Sequence, residues 1–361
     1  MNKINIVTEV NRNFKKNRIS IYKLDKKIIK RILIIKWGGM GDVIISSAPI
    51  NDILNHFNKS SIDINTLPSW KVFFKNDKRI RNIWGFNFGK GINKIKNIFN
   101  WLLIVKRNNY DLIIDFQTND RSRIMLFFLR FFLSFNGHIL GNHQQFPYTI
   151  KPYNLISKFS SPLAVLQNTI SSIGINPKSN SPKIVHKRFF QNNLNFFNKK
   201  KIYKKKFIIF IPGSSFKNPL KRWGVDNFYN LSKLLEKKGF SIVLVGGPDD
   251  IYDCNLLIKL NKKIINLCNK INLENLVDFF KSAKYIVGNA TGPGHLAACT
   301  STPTIIITGP TNPYLVKPNS NKVISIQSNI ECKSCYKKIC NHHSCMFDIK
   351  PDFVFTKLME L

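Results

Sequence analysis

The stretch that most constrains the fold of this chain is residues 284–313, KYIVGNATGPGHLAACTSTPTIIITGPTNP. It contains two short apolar runs, Tyr285–Val287 and Thr304–Ile307, separated by a turn of small residues and by a segment that opens as a helix at His295. A strand, a glycine turn, a helix N-terminus and a strand form one α/β unit, whose turn presents free backbone N–H groups at the edge of a sheet. Such a turn suits a phosphate, to which His295 can add a donor; a tight connection with a capping histidine is the alternative.

The rest of the chain repeats this alternation of strands and helices in two halves. Strands are predicted at 31–37, 61–66, 110–116, 207–211 and 241–245, and helices at 42–57, 162–173, 225–238, 273–283 and 351–361. Between the halves, residues 151–206 are rich in Pro, Ser, Asn and Lys and, apart from the helix at 162–173, lose the pattern. The sequence therefore predicts two α/β domains with doubly wound parallel sheets and a boundary within 151–206.

The charge of the chain is extreme. Its 361 residues include 56 Lys and Arg against 20 Asp and Glu, which gives a formal net charge of +36. Such a field attracts polyanions, including nucleic acid, an anionic membrane face and phosphorylated glycolipid. Because the lysines are scattered along the whole chain, a solvated lysine-rich composition is the simpler explanation. The charge indicates an affinity for anions without identifying one.

Several features indicate a cytoplasmic protein. Residues 1–30 are basic and mostly polar, so they lack the apolar core of a signal peptide. The most lipophilic run, Ile124–Phe135, is too short to span a bilayer and contains Arg130; it is predicted to be a buried helix, with an interfacial helix as the alternative. Seven cysteines, an odd number, fit a reducing compartment better than a disulfide scaffold.

Polar side chains gather where the predicted strands end, and open α/β sheets bind ligands there. Asp42 follows the glycine turn 38–41. A carboxylate at this place fits a general base or a hydroxyl-binding group; a partner for the helix dipole is the alternative. Lys221 and Arg222, beside Trp223, can place fixed positive charge over a leaving diphosphate.

Two further groups each have a structural alternative. Ser214 and Ser215 can donate to phosphate oxygens or serve only as turn residues. Asp249 and Asp250 can hold the two ribose hydroxyls of a nucleotide or cap the helix that follows.

Five segments, in order, resemble glycosyltransferase family 9, the ADP-heptose:lipopolysaccharide heptosyltransferases. They are ILIIKWGGMGDVIISSAPI (32–50), DLIIDFQTNDRS (111–122), PGSS through KRW (212–223), VLVGGPDD (243–250), and VGNATGPGHLAAC followed by TPTIIITGPTNP (287–313). The resemblance implies an α/β GT-B fold, in which two Rossmann-like domains with parallel sheets face each other across a cleft. It also implies inverting transfer of a heptose or similar sugar from an ADP-sugar donor to a hydroxyl of the lipid A–core glycolipid.

The same resemblance suggests an organisation and a set of roles. The expected parts are a basic N-terminal extension (1–30), an acceptor-binding domain (31–175), a linker (176–206), a nucleotide-sugar-binding domain (207–345) and a C-terminal helix returning to the N-terminal domain (346–361). The matched catalytic residues are Asp42 as general base and Lys221 as the cation that stabilises the departing diphosphate. The matched donor-binding residues are Ser214, Ser215, Asp250, Thr291, Gly292 and His295, and the acceptor-binding candidates are Gln117 and Arg121. No cofactor is required.

One residue departs from the family pattern, and the tail contains a cluster of cysteines. The family usually reads Asn-Asp-Thr-Gly where this chain has Ala290 in the Asp position, so the nucleotide sugar and catalytic competence remain open. Four thiols in the tail offer a structural zinc site as an alternative to a reduced or cross-linked loop: Cys332, Cys335, Cys340 and Cys345.

Three other functions are alternatives to the glycosyltransferase that the family resemblance implies. A nucleic-acid-binding module would need a basic stripe or a known motif, which the sequence lacks, so we expect no nucleic acid partner. An NAD-dependent oxidoreductase is disfavoured because Ile44 replaces the last glycine of the dinucleotide fingerprint. A family member that uses a different nucleotide sugar, or only binds one, is the third. The expected partners are the ADP-sugar, the glycolipid acceptor and the anionic inner face of the cytoplasmic membrane.

Overall fold

The computed structural model describes residues 4–7, 24–88, 92–152, 154–157 and 160–361. The chain forms two compact units, one of residues 12–185 and the other of residues 1–11 together with 186–361. We call them the N-terminal unit and the C-terminal unit. Each is built on one sheet of mostly parallel strands, which confirms the predicted α/β class with two Rossmann-like units, as in the GT-B fold.

The strands, in chain order, are β1 (Ile4–Val7), β2 (Arg31–Ile35), β3 (Ser61–Thr66), β4 (Ile80–Gly85), β5 (Leu112–Asp115), β6 (His138–Gly141), β7 (Phe207–Ile211), β8 (Ser241–Leu244), β9 (Ile265–Asn266), β10 (Tyr285–Asn289), β11 (Thr304–Thr308) and β12 (Val323–Ser328). The α-helices are α1 (Met40–His56), α2 (Ile92–Arg107), α3 (Asp120–Phe132), α4 (Pro162–Ser171), α5 (Phe189–Asn192), α6 (Leu194–Lys199), α7 (Val225–Glu236), α8 (Ile251–Leu260), α9 (Leu273–Ser282), α10 (Gly292–Ala297), α11 (Pro313–Val316), α12 (Ser344–Phe347) and α13 (Pro351–Met359). Short 3-10 helices cover Pro68–Phe73, Pro219–Lys221 and Pro248–Asp250.

The N-terminal unit has a five-stranded parallel sheet in the order β4-β3-β2-β5-β6. The central strands β2 and β5 are continuous apolar runs, as expected for strands covered on both faces. Because β2 comes first in the chain and later strands lie on both sides of it, the strand order reverses between β2 and β5. Ligands of open α/β sheets bind at such a switch point.

The C-terminal unit has a seven-stranded sheet in the order β1-β12-β11-β10-β7-β8-β9. The strand β7 is fully buried, and its five residues confirm the predicted strand at 207–211. Its neighbours are β10 on one side and β8 on the other, so the order reverses between β7 and β10. Residues 284–313 supply β10, α10 and β11, and they therefore lie at this switch point.

The predicted N-terminal extension is corrected in part by β1. Residues 4–7 pair antiparallel with β12, from Ile4 opposite Ser328 to Val7 opposite Ser325. The segment INIV is rich in β-branched residues, and β12 would otherwise offer an open edge, so strand addition is favoured. Residues 24–30 precede β2 in the other unit, and the remainder of 1–30 lies outside the described residues.

The predicted linker at 176–206 is wrong. Its first part belongs to the N-terminal unit, where the buried carboxylate of Asp52 accepts hydrogen bonds from the backbone N–H of Lys178 and Ser179, both at 3.0 Å. Its second part forms α5 and α6, and the buried rings of Phe190 and Phe197 stack 4.6 Å apart in the C-terminal unit. Buried rings and a buried carboxylate fix this segment in place, which a composition rich in Asn and Lys did not indicate.

The predicted return of the C-terminal helix to the N-terminal domain is also corrected. The helix α13 belongs to the C-terminal unit, where Val354 and Leu358 are part of the same apolar core as Trp223, Phe228 and the sheet. Its apolar face therefore completes the core of its own unit.

The lipophilic run at 124–135 is half buried, which corrects the prediction of a buried helix. In α3, Met125, Leu126 and Leu129 are buried, whereas a second set of large apolar residues is exposed. Among the described residues, no helix is long and apolar enough to cross a membrane.

Candidate functional site

Asp42 lies in the first turn of α1, directly after β2, and its side chain is exposed. Its Oδ2 accepts a hydrogen bond of 3.2 Å from the backbone N–H of Gly39, as a capping residue does. The turn before it requires glycine at 38, because a Cβ there would come within 2.8 Å of the same oxygen. The carboxylate is thus oriented by the glycine turn and open to solvent at the switch point of its sheet.

Lys36 provides positive charge next to this carboxylate. Its Nζ donates to the carbonyl of Phe116 at 3.0 Å, which joins the ends of β2 and β5. Burial lowers the pKa of Lys36, and the charges of Asp42 and Asp115 oppose that effect. Lys36 therefore places a buried cation between Asp42 and Asp115 at this end of the sheet.

Asp115, which the sequence did not indicate as important, connects several segments through hydrogen bonds. It is buried and accepts four hydrogen bonds, from Tyr148 Oη and Ser122 Oγ at 2.7 Å and from the backbone N–H groups of Gln117 and Thr118 at 2.9 and 3.0 Å. Burial raises the pKa of Asp115 in spite of these donors. Its role is to hold the loop between β5 and α3.

The two acceptor-binding candidates differ in what they contact. Gln117 follows β5, and its Oε1 accepts from the backbone N–H of Trp37 at 3.0 Å, so it lies beside the Asp42 turn. Arg121 lies in the first turn of α3 with its side chain exposed. The structure brings Gln117 and Asp42 to the same switch point and places Arg121 on the helix that leaves it.

In the C-terminal unit, Asn289 connects the loops at the other switch point. This buried residue ends β10, and its Nδ2 donates to the carbonyls of Pro212 and Gly213 at 2.6 and 3.1 Å. Its Oδ1 accepts from the backbone N–H of Trp223 at 3.1 Å. One side chain thus holds the loop after β7, the start of α7 and the end of β10 together.

Arg222 is occupied by contacts within the protein, which corrects the prediction that it supplies charge to a diphosphate. Its Nη2 donates to the carbonyls of Ser214 and Asp249 at 2.8 and 3.1 Å, and its Nε lies 3.3 Å from Oδ2 of Asp253. The guanidinium joins the loops after β7 and β8.

Ser214 and Asp250 are closely packed in the same loops. The buried Ser214 donates its hydroxyl to the carbonyl of Asn218 at 2.6 Å, which is the contact of a turn residue. The Oδ2 of Asp250 accepts from the backbone N–H of Gly247 at 2.8 Å, which supports the capping alternative. A Cβ at residue 213 would overlap Oδ1 of Asp250, so Gly213 is required for this packing. Burial raises the pKa of Asp250.

Lys221 differs from Arg222, its neighbour. It is half-buried at the end of a 3-10 helix, and no carboxylate pairs with it in the described part of the chain. Burial alone lowers the pKa of Lys221. The loop that carries it is held by His343, whose Nε2 lies 2.7 Å from the carbonyl of Leu220. A positioned, partly desolvated and unneutralised cation is suited to bind an anion.

The remaining donor-binding candidates lie nearby in sequence and topology. Thr291 precedes α10, Gly292 begins it, and the buried His295 lies in its first turns, directly after β10. Ser215 is exposed on the loop after β7. Because β10, β7 and β8 are neighbours in one parallel sheet, all seven predicted residues of this unit follow adjacent strand ends.

The chain is similar to proteins of one enzyme family. The family model described as glycosyltransferase family 9 (heptosyltransferase) matches residues 103–345, which is more than half of the chain. The chain belongs to glycosyltransferase family 9. It is therefore a glycosyltransferase, and the match includes every predicted site residue except Asp42.

Relatives of this family 9 glycosyltransferase extend the similarity over most of its length. The lipooligosaccharide heptosyltransferase 2 of Campylobacter jejuni is 26% identical over 333 residues, which cover 89% of this chain and 95% of that protein. Among solved structures, a family 9 glycosyl transferase from Veillonella parvula has a TM-score of 0.76 at 18% identity, covering 92% and 98% of the two chains. The E. coli ADP-heptose lps heptosyltransferase II has a TM-score of 0.71 at 18% identity, covering 91% and 98%.

Ala290, the residue that departs from the expected family pattern, is a packed residue in this glycosyltransferase. It is 8% exposed and lies in a small apolar cluster with Ala298, Ile306 and Val323. An apolar contact therefore occupies the position where the resemblance led us to expect a carboxylate.

The four tail cysteines, predicted as a structural zinc site or as a reduced or cross-linked loop, are free thiols that differ in burial. Among the described residues, no group of three or more His, Cys, Asp or Glu side chains is arranged to hold a metal ion. Cys332 and Cys335 are exposed, whereas Cys345 is 5% exposed and packs in the core. Burial raises the pKa of Cys345 to about 11, and the charges of Cys332, Cys335 and Cys340 add to this rise, so these thiols lie near Cys345. Zinc binding by this cluster stays a prediction.

Asn289 and Asp115 are the important residues that sequence reasoning missed. Both end a buried strand, and a polar residue that ends an apolar run was the available signal. The sequence could not show their partners, because these lie on other loops or distant segments.

Proposed function

We propose that this glycosyltransferase transfers a heptose from ADP-heptose to a hydroxyl of the lipopolysaccharide inner core, with inversion at the anomeric carbon. Support comes from its family, from the ADP-heptose and lps named for its E. coli structural relative, and from the chemistry of its two switch points. The observation that carries the proposal is Lys221, a half-buried cation without a carboxylate partner among the described residues, on the loop after β7.

The C-terminal unit would bind the donor. Lys221 would lie against the diphosphate, and the backbone N–H groups of Thr291 and Gly292, together with the imidazole of His295, would donate to its oxygens. Ser215 is placed to add a hydroxyl, and Asp250 would contact the ribose through the oxygen that does not cap Gly247. As the bond between the anomeric carbon and the phosphate oxygen breaks, negative charge grows on ADP, and these donors stabilise it. This scheme requires no metal cofactor.

The N-terminal unit would bind the acceptor. Asp42 would accept the proton of the acceptor hydroxyl while the hydroxyl oxygen attacks the anomeric carbon from the face opposite ADP. The amide of Gln117 and the guanidinium of Arg121 would hold neighbouring sugar or phosphate groups of the core.

We further propose that the protein works on the cytoplasmic side of the inner membrane, where a lipid A–core acceptor would be presented. The net charge of +36 supports contact with an anionic lipid surface. We expect no nucleic acid partner.

The decisive test is turnover of purified ADP-heptose with truncated lipopolysaccharide by the wild type and by Asp42→Asn. Asparagine keeps an oxygen that can cap Gly39 but cannot take a proton, so we expect kcat to fall by roughly 100-fold or more. The matched control is Asp352→Asn, which removes an exposed carboxylate from the first turn of α13.

Equal and small losses in the two variants would show that Asp42 acts only as a helix cap. Absence of turnover by the wild type, with ADP still bound in calorimetry, would reject the heptose and favour another nucleotide sugar. That second candidate is motivated by Ala290, and a panel of ADP-, UDP- and GDP-sugars would identify the donor.

A further inference from the structure

Helix α3 is apolar on two opposite sides. Met125, Leu126 and Leu129 recur at helical spacing and are buried in the core of the N-terminal unit. A second set recurs at the same spacing on the other side of the helix and is exposed. Its members are Ile124 (55% exposed), Phe127, Phe128, Phe131 (65%) and Phe132 (62%).

The exposed rings form one connected surface, which we call the phenylalanine face. Phe127 and Phe131 stack at 5.6 Å, Phe128 and Phe132 stack at 5.3 Å, and Phe131 meets Phe132 edge-on at 5.0 Å. Phe146 extends the face from a neighbouring loop, 5.5 Å from Phe127. Contiguous apolar patches of this kind on a soluble protein mark an interaction site.

Basic residues border the phenylalanine face. Helical geometry places the exposed Arg121 on one flank of α3. Arg123 and Arg130 lie on the other flank, where Arg123 pairs with Asp120 at 3.4 Å and Arg130 donates to the carbonyl of Gly137 at 2.7 Å. Lys106 of α2 lies beyond the end of the helix, where its Nζ donates to the carbonyl of Ser134 at 3.4 Å. Asp120 is the one acidic residue of α3, and α2 contains none.

We propose that α3 lies in the plane of an anionic membrane, with the phenylalanine face inserted among the lipids and Arg121 at the phosphate groups. A phenylalanine-rich face bordered by cations is the pattern of helices that bind membrane interfaces. At 13 residues the helix is about 20 Å long, too short to cross the hydrocarbon core, and it can bind only in the plane.

This surface would also orient the acceptor site. The first turn of α3 carries Arg121 and directly follows the loop of Gln117, so a docked helix brings these acceptor-binding candidates to the lipid surface. This inference rests on the proposed function, because only an enzyme whose acceptor is a membrane glycolipid needs such docking.

The test is flotation of the full chain with vesicles of equal parts phosphatidylglycerol and phosphatidylcholine, and with phosphatidylcholine alone. We expect the wild type to bind the anionic vesicles and to lose binding as salt is raised. The double variant Phe131→Ser/Phe132→Ser should bind roughly tenfold more weakly or worse, because two inserted rings are lost. The matched control, Ile339→Ser/Phe347→Ser, removes residues that are 83% and 51% exposed on the other unit and should bind as the wild type does.

Unchanged vesicle binding by Phe131→Ser/Phe132→Ser would overturn the proposal. A wild-type dimer that becomes a monomer in this variant, by light scattering, with vesicle binding unaltered, would assign the face to a second copy instead. Turnover with lipid-free core oligosaccharide separates the inference from the proposed function, since all three proteins should be equally active on it. If none turns over but the vesicle results hold, the docking surface stands and the reaction is wrong.

Discussion

Whether the charge of Lys221 is available to a ligand depends on the contacts of its side chain. It stands next to Arg222 in the sequence, yet the guanidinium is held by two carbonyls and Asp253, whereas the ammonium has no carboxylate partner in the described residues. The two adjacent cations therefore have different roles: Arg222 joins two loops, and Lys221 is available to a ligand.

A pH dependence follows from the lowered pKa of Lys221. Burial makes the ammonium lose its proton at a lower pH than an exposed lysine does. Since the charged form stabilises the departing diphosphate, kcat should fall as pH rises through that lowered pKa. Lys221→Arg, which stays charged, should lose this basic limb in a pH–rate profile, and Lys221→Met should be about 100-fold slower or worse at neutral pH.

The matched control is Lys217→Met, an exposed lysine of the same loop, which should keep the wild-type profile. If Lys221→Arg retained the basic limb, the titration would belong to another group.

The sequence placed these candidate residues near the correct strand ends but could not assign their partners. Ser214 and Asp250 were expected to contact a nucleotide, and the structure shows them donating to Asn218 and accepting from Gly247. A motif records that a polar group follows a strand. Whether that group faces a ligand or a neighbouring loop depends on packing between strands that are distant in the chain.

At the scale of elements, the apolar strands were predictable and the half-buried ones were not. Continuous apolar runs such as β7 specify buried parallel strands, and β3 and β7 have the predicted bounds. The strand β4, IRNIWG, is partly buried and has no such run, and α2 is interrupted by Lys and Asn, so neither was predicted. The burial of one face of α3 and exposure of the other could not be distinguished, because both faces are apolar.

Asn289 is expected to stabilise the junction of β7, β10 and α7 more than any single contact within those elements. Asn289→Ala would leave two carbonyls and one N–H buried without partners, at a cost of about 2–4 kcal/mol in the free energy of unfolding. Asn289→Asp should cost at least as much, since a carboxylate oxygen would face the carbonyls of Pro212 and Gly213.

Urea denaturation and ADP calorimetry would measure both effects, with loss of ADP affinity in each variant that remains folded. Asn255→Ala, in an exposed position of α8, is the control and should change stability by less than about 0.5 kcal/mol. Stability equal to wild type in Asn289→Ala would show that water replaces the side chain.

At the scale of the whole molecule, the alternating pattern predicted two units with a boundary within residues 151–206, and the structure confirms both. The structure of the segment around the boundary was not predicted. The division lies between Val185 and His186, within the segment predicted as a linker. Asn-, Lys- and Pro-rich composition suggested an unstructured connection. It carried no information on the buried carboxylate of Asp52, more than a hundred residues earlier, which holds the segment's first part.

The boundary makes a prediction about fragments. A fragment of residues 12–185 contains the sheet, its core and the full set of Asp52 contacts, so we expect it to unfold cooperatively in urea. A fragment of residues 12–175 loses the N–H donors of Lys178 and Ser179 and the hydroxyl of Ser179, which is 2.7 Å from Oδ1 of Asp52. The loss of three hydrogen bonds to this carboxylate should cost the shorter fragment roughly 3 kcal/mol or more. Asp52→Asn should destabilise the longer fragment and relieve part of the loss in the shorter one, because a neutral amide needs fewer donors. Two fragments of equal stability, with the same response to Asp52→Asn, would place the end of the unit before residue 176.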